Sequence, residues 1–230
     1  MEMSSPILLT IGILGGTGKE GKGLAFRWAK AGYRVLIGSR LEDRAKATAR
    51  ELDELLGGKA VIEGTSNVAA AKKADLVVLT VPYSAHHETL DSVRGLLKGK
   101  VLIDVTVPLV PPKTTRVQMP PAGSAAQEAH QILGEEVQVA SAFHTISYES
   151  LLKDEIIESD VLVTGTSKEA RSEALKLVEA AGLTGWDAGP IENSVVVEGL
   201  TSILIGINKQ HGTVSAGIRI TGVPRAASKP

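Results

Sequence analysis

The chain has no cysteine, and Phe, Trp and Tyr together make up only 3% of its 230 residues. Without cysteine there is no disulfide, no thiolate-ligated metal and no thiol nucleophile. A reducing, cytoplasmic setting is the expectation. So few aromatics argue against stacking platforms for nucleic acid. An excess of one charge sign is missing too: 25 Lys and Arg stand against 26 Asp and Glu, for a net charge of -1. No basic footprint therefore points to nucleic acid or to an anionic membrane surface. Long apolar runs are also absent. The most apolar late stretch, residues 195–207, is interrupted by Glu198 and Gly199 and is too short to span a bilayer. Residues 1–6 carry Glu2 rather than a basic run, so no secretory leader is expected.

What the sequence does have is glycine, 24 in all, and an alternation of short apolar runs with amphipathic helical patterns. Strands are expected over 10–14, 35–37, 60–63, 76–81 and 101–105, with helices over 18–31, 41–55, 68–73 and 85–97 between and after them. Continuous apolar strands separated by helices imply a parallel sheet covered on both faces. The rhythm breaks over residues 109–123. Pro108, Pro111, Pro112, Pro120 and Pro121 make this an extended loop, and long loops in compact domains are usually functional or mobile. A helix over 124–133 and a strand over 137–140 follow. A second series then runs 161–164, 169–181, 185–187 and 191–210, before a polar tail over 223–230. The expected fold is α/β: a Rossmann-type doubly wound sheet over residues 1–145, with a small C-terminal α/β domain over 146–230.

Residues 10–21 read TIGILGGTGKEG. Gly16, Gly18 and Gly21 form a GxGxxG pattern that follows a strand and opens a helix, the context that gives the pattern its meaning. Gly16 is expected to permit the tight turn, Gly18 to let backbone approach a pyrophosphate, and Gly21 to let helix pack on strand. Free N–H groups at the helix start would hold the phosphate charge; Thr17 and Lys19 lie in the same turn. The end of the second strand decides which dinucleotide. NAD binding calls for an acid there. This chain has Ser39 and Arg40, with Arg44 expected on the same helix face. A hydroxyl and planar guanidinium forks suit a 2′-phosphate, so NADP(H) is the expected cofactor. Val81, Pro82 and Tyr83 follow the fourth strand, where ligands bind in open α/β sheets. Tyr83 would either flank the cofactor or simply pack.

No Ser/His/Asp triad or metal cluster is visible. His86, His87 and Glu88 come nearest, but adjacent residues on a helix point in different directions, so solvated surface is expected and no metal. His144 differs, because it follows an apolar strand, at a strand end facing the expected cleft; it is either a cleft residue or a buried structural histidine. The last helix is apolar over a broad face, which a homodimer interface would explain.

Four segments together resemble the NADPH-dependent reductases of coenzyme F420, an 8-hydroxy-5-deazaflavin: LGGTGKEGKGLA (14–25), GSR (38–40), AFHTI (142–146) and DAGPIENS (187–194), the last leading into VEGLTS (197–202). The resemblance spans about the whole chain; the chain departs from it at Gly199, where some members have Ser. It implies a deazaflavin cleft between a Rossmann domain and a small C-terminal domain, reversible hydride transfer between NADPH and the deazaflavin, stacked rings, and commonly a homodimer. It assigns Thr17, Ser39, Arg40 and Arg44 to the 2′-phosphate, and His144, Ile146 and Thr201 to the deazaflavin pocket. Two alternatives stand beside it. One is an NADPH-dependent flavin or imine reductase on the same scaffold, since pyrroline-carboxylate reductases and the cytosolic domains of membrane metalloreductases share the glycine turn. The other is a catalytically silent NADP-sensing protein.

Overall fold

The β-branched and leucine-rich runs fold as strands buried on both faces, as a doubly wound sheet requires. A computed structural model of the chain describes residues 9–153 and 155–224. The leader reading at 1–6 and most of the polar tail expected over 223–230 lie outside the described residues. β1 (Thr10–Leu14), α1 (Lys19–Lys30), β2 (Arg34–Ser39), α2 (Glu42–Leu55), β3 (Ile62–Ser66), α3 (Asn67–Lys73) and β4 (Leu76–Leu79) come first. Next are α4 (His86–Val93), β5 (Val101–Asp104), α5 (Ala125–Leu133) and β6 (Gln138–Ser141). The remainder is α6 (Tyr148–Leu151), β7 (Asp160–Gly165), α7 (Lys168–Ala180), β8 (Thr184–Pro190) and α8 (Ser194–His211).

The eight strands form one sheet in the order β3-β2-β1-β4-β5-β6-β7-β8. Every neighbouring pair is parallel except β6 and β7, which meet antiparallel through Ala140 and Ser141. The second series of the sequence therefore continues the same sheet. One face buries Trp28, Phe143 and Leu177 under α1, α2 and α7; the other buries Leu36, Leu90 and Val139 under α3, α4 and α5. Trp28 ties the first core together. Its indole N–H donates to the Leu177 carbonyl at 2.8 Å, and its ring meets Phe143 edge-on at 5.8 Å. The chain reverses its winding between β1 and β4, so the carboxyl ends of β1, β4, β5 and β6 face a common crevice, the usual ligand position in such sheets.

Several elements differ from the sequence reading, each for a local reason. Gly18 is the N-cap of α1, so the helix begins one residue later. Arg40 precedes α2, which begins at Glu42, so Arg40 and Arg44 do not share a helix face. The helix expected over 85–97 is a 3-10 turn (Tyr83–Ala85), α4, and a second 3-10 turn (Arg94–Leu96). The helix expected over 191–210 begins as a 3-10 turn (Ile191–Asn193) after Pro190 closes β8, and α8 follows from Ser194. The four-residue α6 was not expected.

Candidate functional site

The glycine turn follows β1 and is braced from below. The Gly16 N–H donates to the Gly38 carbonyl at 3.0 Å, and the Gly15 N–H to the Asn67 side-chain carbonyl at 3.1 Å. The left-handed residue of the turn is Gly15, with φ +77°, not Gly16 as the motif suggested. Gly16 is needed for space instead, because a Cβ there would sit 3.1 Å from the Ile13 carbonyl oxygen. Gly21 is pressed on the turn itself, with a Cβ position 2.7 Å from the Gly16 Cα. Gly18 is the exception: a Cβ would meet nothing nearer than the Gly15 carbonyl oxygen at 3.4 Å. The space above it is open toward solvent, in front of the unpaired N–H groups of α1. That cradle suits a diphosphate.

Ser39 closes β2. Its Oγ accepts from the Leu41 N–H at 3.1 Å, which leaves its own hydrogen to donate outward. Arg40 and Arg44 are exposed, and neither guanidinium has a partner among the described residues. Two free forks beside a free hydroxyl donor, with no carboxylate at the strand end, form a donor set for a phosphate ester and not for a ribose diol.

Beyond Gly18 the crevice opens into a mainly apolar cavity of about 560 Å³. It brings together Lys19, Val81, Pro82, Tyr83, His144, Ile146 and Thr201, which are distant in sequence. Leu109, Pro111 and Thr114 of the proline-rich loop close one side, so that loop is a wall of the cavity. Gly16, Thr17, Gly21, Ser39, Arg40 and Arg44 do not line it. Gly16 and Gly21 shape the turn itself, and Ser39, Arg40 and Arg44 stand at the ends of β2 and the start of α2, where the 2′-phosphate end of a dinucleotide would reach.

Around the cavity the side chains are constrained. Phe143 takes φ +71°, a left-handed conformation that costs a non-glycine residue energy and is held by its burial against Trp28. This turn sets the direction of the next residue, His144. The Thr201 hydroxyl donates to the His144 carbonyl at 2.8 Å, tying α8 to the turn after β6. Thr201 lines the cavity, and its hydroxyl is committed as a donor within the protein. The His144 imidazole has Nε2 at 3.4 Å from Ser141 Oγ, and Nδ1 has no partner. Burial pushes its pKa down to about 4, so the ring is neutral at neutral pH. The Tyr83 hydroxyl donates to Glu128 at 2.6 Å; burial, then this bond, push its pKa up. At the rim, Lys19 donates to the Tyr148 hydroxyl at 3.2 Å, which holds the ammonium charged.

Some residues were missed or misread. His86 is not solvated surface. It is fully buried, with Nε2 at 2.7 Å from Asp104 Oδ2, while His87 and Glu88 are exposed. The first turn of α4 carries that one histidine under the sheet, and among the described residues no three potential ligands gather to hold a metal. Asp104 Oδ1 also accepts the Thr106 N–H at 2.9 Å, shaping the cavity wall after β5. Glu198 is fully buried in α8 and accepts the N–H groups of Ala125 and Ala126 at the start of α5; burial pushes its pKa up to about 8. Glu20, in the first turn of α1, lines the cavity with a sealed Oε1 that has no partner, and burial raises its pKa to about 8. An acid inside an apolar helical run was the only sequence signal for Glu198; Glu20 carried none.

Residues 10–108 match the model of the family described as NADP oxidoreductase coenzyme F420-dependent. The F420-dependent NADP reductase of Methanothermobacter thermautotrophicus is 39% identical over 229 residues, covering 96% of this chain and 99% of that protein. That of Methanocaldococcus jannaschii is 37% identical, covering 94% and 99%. A crystal structure from Arthrobacter sp. FB24 superposes with a TM-score of 0.77 at 23% identity, over 93% of this chain and 99% of the other.

Proposed function

The chain belongs to the family of F420-dependent NADP reductases, and from that premise we propose how its residues carry the reaction. It is an oxidoreductase that transfers hydride between NADP(H) and coenzyme F420. NADP(H) supplies the hydride-bearing nicotinamide, and F420 the ring that exchanges hydride with it. The observation that carries this reading is that Gly18, at the open turn before the α1 N-terminus, also lines the apolar cavity.

The division of labour in this reading is as follows. Gly18 and Lys19 hold the diphosphate on the α1 N-terminus, over a turn that Gly16 and Gly21 shape. Thr17, Ser39, Arg40 and Arg44 bind the 2′-phosphate. Val81, Pro82 and Tyr83 seat the nicotinamide at the carboxyl end of β4. The neutral His144 ring backs the deazaflavin pocket, Ile146 packs against the deazaflavin, and Thr201 fixes the His144 backbone. Residues 146–230 complete the cleft that residues 1–145 open. Hydride transfer needs two rings in contact and water excluded, and needs no nucleophile. The apolar lining suits that requirement.

The protein is cytoplasmic in this reading. Among the described residues no helix is long and apolar enough to cross a membrane. The protein acts on small molecules and needs no nucleic acid or membrane. It works as a homodimer through α8. Val196, Ile203 and Ile207 are 65%, 51% and 40% exposed and recur along one helix face, a stripe a second copy would cover. Light scattering on wild type and Ile203→Glu tests the dimer: a monomeric wild type contradicts it. Titration with NADPH and NADH, followed by F420 turnover, tests the reaction; tight NADPH binding without F420 turnover contradicts it.

A further inference from the structure

The ladder between β4 and β5 stops where the cavity begins. Its last bond runs from the Val105 N–H to the Leu79 carbonyl at 3.0 Å. Past that point the chain leaves β4 as Val81, Pro82 and Tyr83 and leaves β5 as Val105, Thr106 and Val107, all of which line the cavity. A buried side-chain pair joins these two segments. His86 begins α4, directly after the turn that carries Tyr83, and Asp104 ends β5. Both are fully buried, with His86 Nε2 at 2.7 Å from Asp104 Oδ2. The other carboxylate oxygen accepts the Thr106 N–H at 2.9 Å. The His86 ring stands 5.9 Å from the Tyr83 ring, tilted by 31°. Tyr83 is pinned at its far end as well, since its hydroxyl donates to Glu128. The Asp104 backbone carbonyl accepts the Ala142 N–H at 3.2 Å, where the turn that aims His144 begins. Three segments of the cavity wall therefore meet at one pair. His86 Nδ1 is sealed and has no partner, so the bond to Asp104 is the ring's one hydrogen bond. Burying an imidazole with one nitrogen unsatisfied is costly. An apolar residue would fill the space without that cost, so the tie to Asp104 is what the histidine adds.

We propose that His86 is a positioning residue of the reaction: through Asp104 it fixes the cavity wall after β4 against the wall after β5, and so sets where the nicotinamide stands over the acceptor ring. This rests on the functional reading above, which seats the nicotinamide on Val81, Pro82 and Tyr83. The pair touches neither ring and moves no proton. The groups assigned to the phosphates lie elsewhere, on the α1 N-terminus and at Ser39, Arg40 and Arg44. Binding strength and ring placement are therefore controlled by separate parts of the site. Hydride transfer depends steeply on placement, and a displacement of about 1 Å can cost about 10²-fold in rate.

Two substitutions in the full chain separate placement from folding. His86→Leu fills the space but cannot donate to Asp104. His86→Gln carries an amide N–H that can. NADPH titration gives the affinity, and single-turnover reduction of F420 by bound NADPH gives the rate of hydride transfer. His86→Leu should transfer hydride about 10- to 100-fold more slowly, at NADPH affinity within about twofold of wild type. His86→Gln should recover the rate to within about threefold. Leucine alone leaves the Asp104 carboxylate buried with one oxygen unpaired, which can unfold the protein. His86→Leu/Asp104→Asn removes that charge, keeps an acceptor for the Thr106 N–H and should show the same slow transfer at unchanged NADPH affinity. Wild-type transfer rates in either leucine variant overturn the proposal. So does a loss of NADPH affinity as large as the loss of rate, which would make the pair a fold contact only, and so does a glutamine variant no faster than the leucine one. A wild type that binds NADPH but cannot reduce F420 overturns the functional reading first.

Discussion

Replacing Gly18 separates a cofactor cradle from a merely tight turn. Gly18 has φ −72°, so alanine carries no left-handed strain there. Its Cβ would stand 3.4 Å from the Gly15 carbonyl oxygen and 3.9 Å from that of Thr80, ordinary contact distances. The fold of Gly18→Ala should therefore stay within about 1 kcal/mol of wild type, in either direction. The bound cofactor has no such room, because the methyl occupies the space through which a diphosphate reaches the α1 N–H groups. Losing one charge-assisted hydrogen bond costs about 1.5–3 kcal/mol, or about 10- to 150-fold in affinity. Gly18→Val should abolish binding. Gly21→Ala is the contrasting control. Its Cβ falls 2.5 Å from Thr80 Oγ1 and 2.7 Å from the Gly16 Cα. The backbone contact cannot yield, so that variant should lose about 1–3 kcal/mol of stability before any ligand is added. Urea unfolding and NADPH titration by fluorescence, run on all three variants, give both quantities. Wild-type NADPH affinity in a folded Gly18→Val protein would refute the assignment of the turn.

Arg40→Ala should weaken NADPH by about 1.5–3 kcal/mol and leave NADH almost untouched, since only the 2′-phosphate distinguishes them; equal losses for both in parallel titrations would contradict this. Thr201→Val removes the 2.8 Å bond to the His144 carbonyl. It should raise the KM for F420 by about 3- to 10-fold through a loss near 1 kcal/mol, with NADPH affinity unchanged in steady-state kinetics; an effect on NADPH alone would misplace the pocket. Glu198 is held above its unfolded value, at about 8. The stability its neutral form contributes is complete below about pH 4.5 and is lost as pH rises through about 8, a change on the order of a few kcal/mol. Glu198→Gln should flatten that decline, and unfolding at pH 5, 7 and 9 would show identical slopes if the carboxyl were not responsible.

The alternation of apolar runs and helical patterns made the sheet and its winding legible, because strands buried on two faces leave continuous hydrophobic runs. The glycine turn before α1 and the Ser39-Arg40 end of β2 were legible because both are short local motifs. The antiparallel joint between β6 and β7 was not, since pairing direction depends on where a returning chain finds an open edge. His86 was misread because its burial comes from Asp104, 18 residues away at the end of β5, and periodicity carries no record of such a partner. The commitment of Thr201 to His144 is likewise a contact across 57 residues. Phe143 in a left-handed turn has no signature in sequence at all, because glycine or asparagine is the usual occupant.

The central claim is that one cleft brings NADPH and a deazaflavin together for hydride transfer. The most direct measurement mixes purified protein with NADPH and oxidised F420 and follows both chromophores anaerobically. F420 should bleach as NADPH is consumed in equal amount, with NADH far poorer as donor and FMN or FAD not reduced. Turnover of FMN or FAD with F420 left untouched would assign the cleft to a flavin reductase, and tight NADPH binding with no acceptor reduced would leave a sensor in place of an enzyme.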